Sequence, residues 1–231
     1  MIDQAEFFES TNNLLDKRKT GQCRGGVLYS RLATLRPGRF YLLGFNPGGS
    51  ADDPQAPTLE QDLLTLQRDE RPNAYVEEQW GPHTCGQAPF QKRVKALAEV
   101  LGANVEDICA SNLIFVKSSR AHEVAYPALA TECWPVHQLI MKIDSPYVIL
   151  SIGNGARSAY GYIRNGLASG VDDIVSIESK KAEYGKWLLK ACKCCISGRQ
   201  TIVIGLPHFS YYPLDNAKYS SVVDGWLKML L

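Results

Sequence analysis

Residues 41–50 read YLLGFNPGGS, an apolar run that stops at Asn-Pro-Gly-Gly. Together with Phe40 it has the length and composition of a short buried strand. Asn-Pro and Gly-Gly are turn pairs, so the strand ends where the chain reverses. One polar side chain, Asn46, is thereby delivered to the carboxyl end of a strand. A second stretch repeats the arrangement: QTIVIGLPHFS, residues 200–210, is an apolar strand followed by His208.

Further apolar runs lie between these two. ICASNLIFV (108–116) and PYVILSIG (146–153) read as buried strands, and DDIVSIE (172–178) as a weaker one. Helical spacing separates them. PFQKRVKALAEVLG (89–102) carries an apolar stripe through Val94, Leu97 and Leu101, with Pro89 suited to its first turn. PALATECWPVHQLIMKI (127–143) is mostly helical despite Pro135, a helix is expected over 156–165, and residues 216–231 close the chain as a helix. Strands of this length alternating with helices predict an α/β fold. We expect three α/β/α layers around a central, mostly parallel four-stranded sheet. A single domain over 1–231 is expected, with an N-terminal helical segment at 1–38 and an elaborated loop insertion at 50–85. Within 1–38, Phe7, Phe8, Leu14 and Leu15 form one apolar face. The insertion is rich in Pro, Asp, Glu and Gln, with one helix expected near Leu59–Arg68. In parallel sheets ligands gather at the carboxyl ends of the strands, where GFNPGG, SNLIF, GNGA and LPHFS all fall.

Composition sets the bounds. The chain has 231 residues, 45% hydrophobic and 21% charged, with a formal net charge of +1. No global basic field announces a nucleic-acid partner, so phosphate contacts would rest on local basic patches. The N-terminal MIDQAEFFESTNN lacks the apolar core of a signal peptide, and no apolar run is long enough to span a membrane. The seven cysteines are odd in number and irregularly spaced. Reduced thiols and a cytoplasmic setting are expected.

Two motifs invite cofactor readings. GNGARS, Gly153–Ser158, follows a strand and precedes a helix, as a dinucleotide fingerprint does, and Glu178 ends the next strand. Its third glycine is replaced by Ser158, and too little chain follows for such a domain. KACKCC brings Cys192, Cys194 and Cys195 together, with His83 and Cys85 elsewhere. Adjacent Cys194 and Cys195 suit one tetrahedral ion poorly. No cofactor and no metal are expected. No Walker loop, nucleophile elbow or HExxH occurs.

GFNPGG resembles the first motif of the uracil-DNA glycosylase superfamily in its Asn-bearing form, and GLPHFS a variant of the second. PFQKRVKALAEVL is similar to the aromatic-then-helix segment of that family. SNLIFVKS is similar to its base-reading strand, and ATECWPVHQLIMKIDSPYVILSIGNGA to the region before the second motif. The resemblance spans about residues 40–231 in order. It departs from the family at Phe209, where proline is usual, and in the length of the 50–85 insertion. One branch of the family holds an iron-sulfur cluster. Cys133 matches one ligand position, but Lys117 or Ser118 stands near another, so no cluster is expected.

The resemblance implies a DNA glycosylase that acts as a monomer and removes uracil or a related damaged base. Asn46 would hold the attacking water and His208 would donate to the base oxygen that gains charge. Asn112 would read the base edge, Phe90 would stack on the base, and Gly44 and Phe45 would line the pocket. Gly48, Gly49 and Ser210 would approach phosphates, and Tyr211 and Tyr212 would lie in the loop that enters DNA, with Tyr212 as the wedge. Read from chemistry alone, each residue has a structural alternative: Asn46 as a turn former, His208 and Asn112 as satisfied local polar groups, Phe90 as core. A non-catalytic nucleic-acid or nucleobase-binding protein on the same scaffold is the alternative function.

Overall fold

The computed structural model describes residues 2–167, 175–196 and 198–231. The chain runs through helix α1 (Gln4–Arg18), strand β1 (Phe40–Gly44), helices α2 (Leu59–Gln67) and α3 (Pro89–Val100), strand β2 (Cys109–Asn112) and helix α4 (Ala128–Asp144). Strand β3 (Val148–Ile152), the short helix α5 (Ala159–Tyr162), strands β4 (Val175–Lys181), β5 (Leu188–Ile196) and β6 (Arg199–Leu206), and helix α6 (Ala217–Leu230) complete it. Among the described residues one sheet runs β2-β1-β3-β6-β5-β4. The first four strands pair in parallel, and β5 and β4 continue the sheet antiparallel.

Strand pleating sends successive side chains to opposite faces. Tyr41, Leu43, Ile149 and Val203 join one core with residues of α1, α2, α4 and α5. Phe40, Leu42, Leu150 and Ile204 join a second core with α3 and α6. The molecule is therefore three-layered, α/β/α, and the central strands are buried on both sides, as their unbroken apolar runs require.

Local chemistry sets the helix ends. Asp3 caps α1 by accepting from the Glu6 amide at 2.8 Å. At α2, Thr58 and Gln61 form a reciprocal capping box, at 2.9 and 3.2 Å. Asn216 caps α6 at the Lys218 amide, at 3.0 Å. The helix expected over 156–165 begins later, because Ser158 caps it by accepting from the Gly161 amide. It continues as a π-helical turn at Ile163–Leu167.

The sheet has six strands where four were expected. The difference lies in β5, which contains KACKCC and alternates buried and exposed residues. Cys192 and Cys194 point into a core, while Lys193 faces out. The thiols act as small apolar side chains on a half-buried strand. Of the weak strand expected at 172–178, residues 172–174 lie outside the described residues, and β4 begins at Val175.

The 50–85 insertion is stapled to the body. Gln91 on α3 donates to the carbonyls of Ala74 and Glu78, at 2.7 and 2.9 Å, while its oxygen accepts from the Ala88 amide. Asp62 accepts from the Val27 amide at 2.8 Å and pairs with Arg71. On the surface Arg31 pairs with Glu77 and Arg36 with Asp107. No helix among the described residues is long and apolar enough to cross a membrane.

Candidate active site

β1 and β3 are neighbours from which the chain leaves in opposite directions, to β2 on one side and β6 on the other. Ligands of open α/β sheets bind at such a switch point, beyond the carboxyl ends of the strands. A cleft of about 1300 Å³ opens there. Asn46, Phe90, Asn112 and His208 all line it, as do Gly44, Phe45, Gly48, Ser210 and Tyr211.

The orientation of Asn46 follows from its partners. Its Nδ2 donates to the Pro47 carbonyl and to Ser118 Oγ, both at 2.9 Å. Ser118 in turn donates its proton to the Arg120 carbonyl at 2.9 Å, so its Oγ is free to accept. Both neighbours of the carboxamide nitrogen are therefore acceptors. Oδ1 has no partner among the described residues and is left to accept from a molecule in the cleft.

His208 follows from the LPHFS turn. The Ser210 amide donates to its Nδ1 at 3.2 Å, which puts the ring proton on Nε2. Burial holds its pKa below the ordinary 6.5, so the ring is a neutral donor at neutral pH. Arg93 on α3 fixes the turn from behind: it donates to the Phe209 carbonyl and pairs with Asp215. Phe209 itself is fully buried, which anchors the turn.

Asn112 ends β2 and is only 8% exposed, yet its carboxamide makes no hydrogen bond among the described residues. The amide faces the cleft and is left to pair with whatever enters it. Its Oδ1 lies 2.0 Å from where a Cβ on residue 44 would sit, so only glycine leaves room for it. Phe90 packs against His208 at 5.8 Å, Phe209 at 5.9 Å and Trp80 at 5.9 Å between ring centroids. It belongs both to the cleft wall and to the core edge.

The cleft contains two carboxylates. Glu78 accepts from Trp80 Nε1 at 3.1 Å and faces Arg71. Asp53 accepts the Gln55 amide on Oδ1 at 3.0 Å, and its Oδ2 has no partner among the described residues. Lys117 and Arg120 line the same rim with no acidic partner among the described residues. The Lys117 Nζ lies 3.7 Å from where a Gly49 Cβ would be, so a cation stands beside Gly49.

One placement corrects the sequence reading. Tyr212 was expected as an exposed wedge but is fully buried, its hydroxyl donating to the Ala182 carbonyl at 3.0 Å. Its neighbour Tyr211 is the outward residue, 66% exposed.

Several cleft residues escape the sequence reading: Ser118, Lys117, Asp53, Trp80 and Arg157. Arg157 belongs to GNGARS and donates to the carbonyls of Ala121 and Val124, at 3.1 and 2.9 Å, while lying over the Tyr126 ring. In the same turn Asn154 donates to Leu188 and Gly205 carbonyls, tying β3 to β5 and β6. GNGARS thus works as a structural strand-to-helix connection.

All seven cysteines are free thiols. Among the described residues no three His, Cys, Asp or Glu side chains converge to hold a metal. No family model matches the chain, and no curated protein is similar enough to place it in a family.

Proposed function

We propose that the protein is a monofunctional DNA glycosylase of the uracil-DNA glycosylase kind, hydrolysing the bond between a deoxyribose and uracil or a related damaged base. One observation carries the reading: an Asn46 whose Oδ1 is free to accept, an unpartnered Asn112 and a neutral His208 donor line one cleft.

The reaction breaks the C1′–N bond, its electron pair leaving with the base while positive charge develops on the sugar. His208 Nε2–H donates to the base oxygen that gains charge, a preorganised contact that strengthens as the bond breaks. Asn112 presents one acceptor and one donor group, which match the edge of uracil. The water held by Asn46 Oδ1 forms the new bond to C1′. A carboxamide cannot take its proton. The free oxygen of Asp53 accepts it and shields the sugar cation. Lys117 and the Gly48-Gly49 backbone hold a phosphate beside the extruded nucleotide. We take the protein to act as a monomer in a reducing, cytoplasmic compartment, which seven free thiols fit.

The test is release of base from deoxyuridine-containing oligonucleotides, read as alkali-labile abasic sites. Base release that is lost in Asn46→Ala and His208→Ala supports the reading. DNA binding without base release from uracil or a panel of damaged bases leaves the second reading, a non-catalytic nucleobase-binding protein. The modest reactivity of a carboxamide beside the water favours that second reading.

A further inference from the structure

Among the described residues Tyr211 is the most exposed large apolar side chain, at 66%, and it stands at the rim of the cleft. An isolated surface tyrosine would rotate freely, but this one is held. Its ring lies within 13° of parallel to the indole of Trp187, centroids 6.3 Å apart, and 6.1 Å from the His208 ring. Trp187 is fixed in turn: a Cβ on Gly185 would come within 3.0 Å of the indole, so the turn backbone lies close against it.

That turn is the tip of the β4–β5 hairpin, closed by the Ala182 amide donating to the Trp187 carbonyl at 2.9 Å. Tyr212, buried beneath, ties the same hairpin to the His208 loop through Ala182. Two successive tyrosines thus do opposite jobs. Tyr212 locks the loop to the hairpin, and Tyr211 offers an aromatic face backed by a second ring.

We propose that Trp187 and Tyr211 form a fixed stacking platform for the base next to the one held in the cleft, and that the ligand is single-stranded nucleic acid. The proposal rests on reading the cleft as a base pocket. A pinned ring loses little conformational freedom on binding, which favours stacking. Stacking needs an open base face, which a single strand offers and an intact duplex does not. Cations border the path at both ends. Lys117 stands on the Asn46 side, and Lys186 is exposed on the hairpin beside Trp187. A strand crossing the cleft meets charge for its backbone and an aromatic face for its base. Trp187 is a positioning residue, acting through Tyr211.

The experiment is fluorescence anisotropy with labelled oligodeoxythymidylate, compared with its duplex with oligodeoxyadenylate, on the full chain. The single strand should bind about 10-fold more tightly than the duplex, Tyr211→Ala should lose about 10-fold or more, and Tyr211→Phe should retain binding. Trp187→Leu should weaken binding, Trp187→Phe should restore it, and Trp187→Leu should add little in the Tyr211→Ala background. Equal binding of duplex and single strand, or a Tyr211→Ala protein that binds like wild type, overturns the proposal. Binding with these losses but no base release keeps the platform and removes the glycosylase reading. No oligonucleotide binding at all removes both.

Discussion

Ser118 Oγ sits 2.9 Å from Asn46 Nδ2, and it takes that hydrogen bond because its own proton is committed to the Arg120 carbonyl. The orientation of Asn46 is therefore set by a residue 72 positions away. Ser118→Ala should lower turnover about 10-fold by letting the carboxamide turn, a loss near 1.4 kcal/mol for one hydrogen bond. Substrate binding should hardly change. In the double variant Ser118→Ala, Asn46→Ala, the serine change should add nothing, since it acts only through Asn46. Additive losses in steady-state kinetics would refute the dependence.

His208 is neutral because burial depresses its pKa, and its Nδ1 accepts the Ser210 amide. Protonation would set an N–H against that amide, so the acidic limb of base release should lie below pH 6.5. His208→Ala should cost about 100-fold in kcat, the usual loss for one donor to a developing anion. A kcat profile that falls off above pH 6.5 on its acidic side would contradict the neutral-donor role.

Gly44 touches Asn112 and leaves it no spare room. Gly44→Ala must displace the Asn112 carboxamide, so it should reproduce the defect of Asn112→Ala: weaker binding of uracil-containing substrate by about 10-fold. Melting temperature should fall less in Asn112→Ala than in Gly44→Ala, because only the second inserts an atom where none fits. Tight uracil recognition by Gly44→Ala would show that Asn112 does not read the base.

Asp144 ends α4 almost wholly buried, with Oδ2 unpartnered, and burial raises its pKa to about 8. The unfolded value is about 3.9, so the folded state holds the proton more firmly. Stability is then fullest below about pH 4 and declines as pH rises toward 8, where the folded protein must bury a charge. Asp144→Asn removes the titration. Relative to wild type its melting temperature should be higher at pH 8.5 than at pH 5, and an offset independent of pH would count against the buried acid.

Much of this architecture is written in runs of residues. Three of the four parallel strands contain apolar runs of three or more, and the Asn and His just beyond β1 and β6 stand out because each is polar where the run stops. β5 is less legible, since its period-two pattern is carried by cysteines and lysines that suggest metal or surface chemistry. Adjacent Tyr211 and Tyr212 are indistinguishable in the sequence, and only the Ala182 carbonyl decides which turns inward. Ser118 and Trp187 owe their places to contacts between distant segments, which no local pattern encodes. The GNGARS turn has the spacing of a phosphate loop, but its polar groups are spent on neighbouring carbonyls.

The two cores have a consequence for how this cleft can change. Phe45, beside Asn46, belongs to the layer of α1, α2 and α4, while Phe209, beside His208, belongs to the layer of α3 and α6. The two jaws are packed by separate cores, joined through the sheet and through the 50–85 insertion, whose Arg71 pairs with Asp62 of α2 while Gln91 of α3 holds Ala74 and Glu78. Repacking one layer would act first on the jaw that carries Asn46, and reach the jaw that carries His208 only through those links. A fold arranged this way lets the two ends of the cleft drift in position, each tuned by its own set of neutral changes.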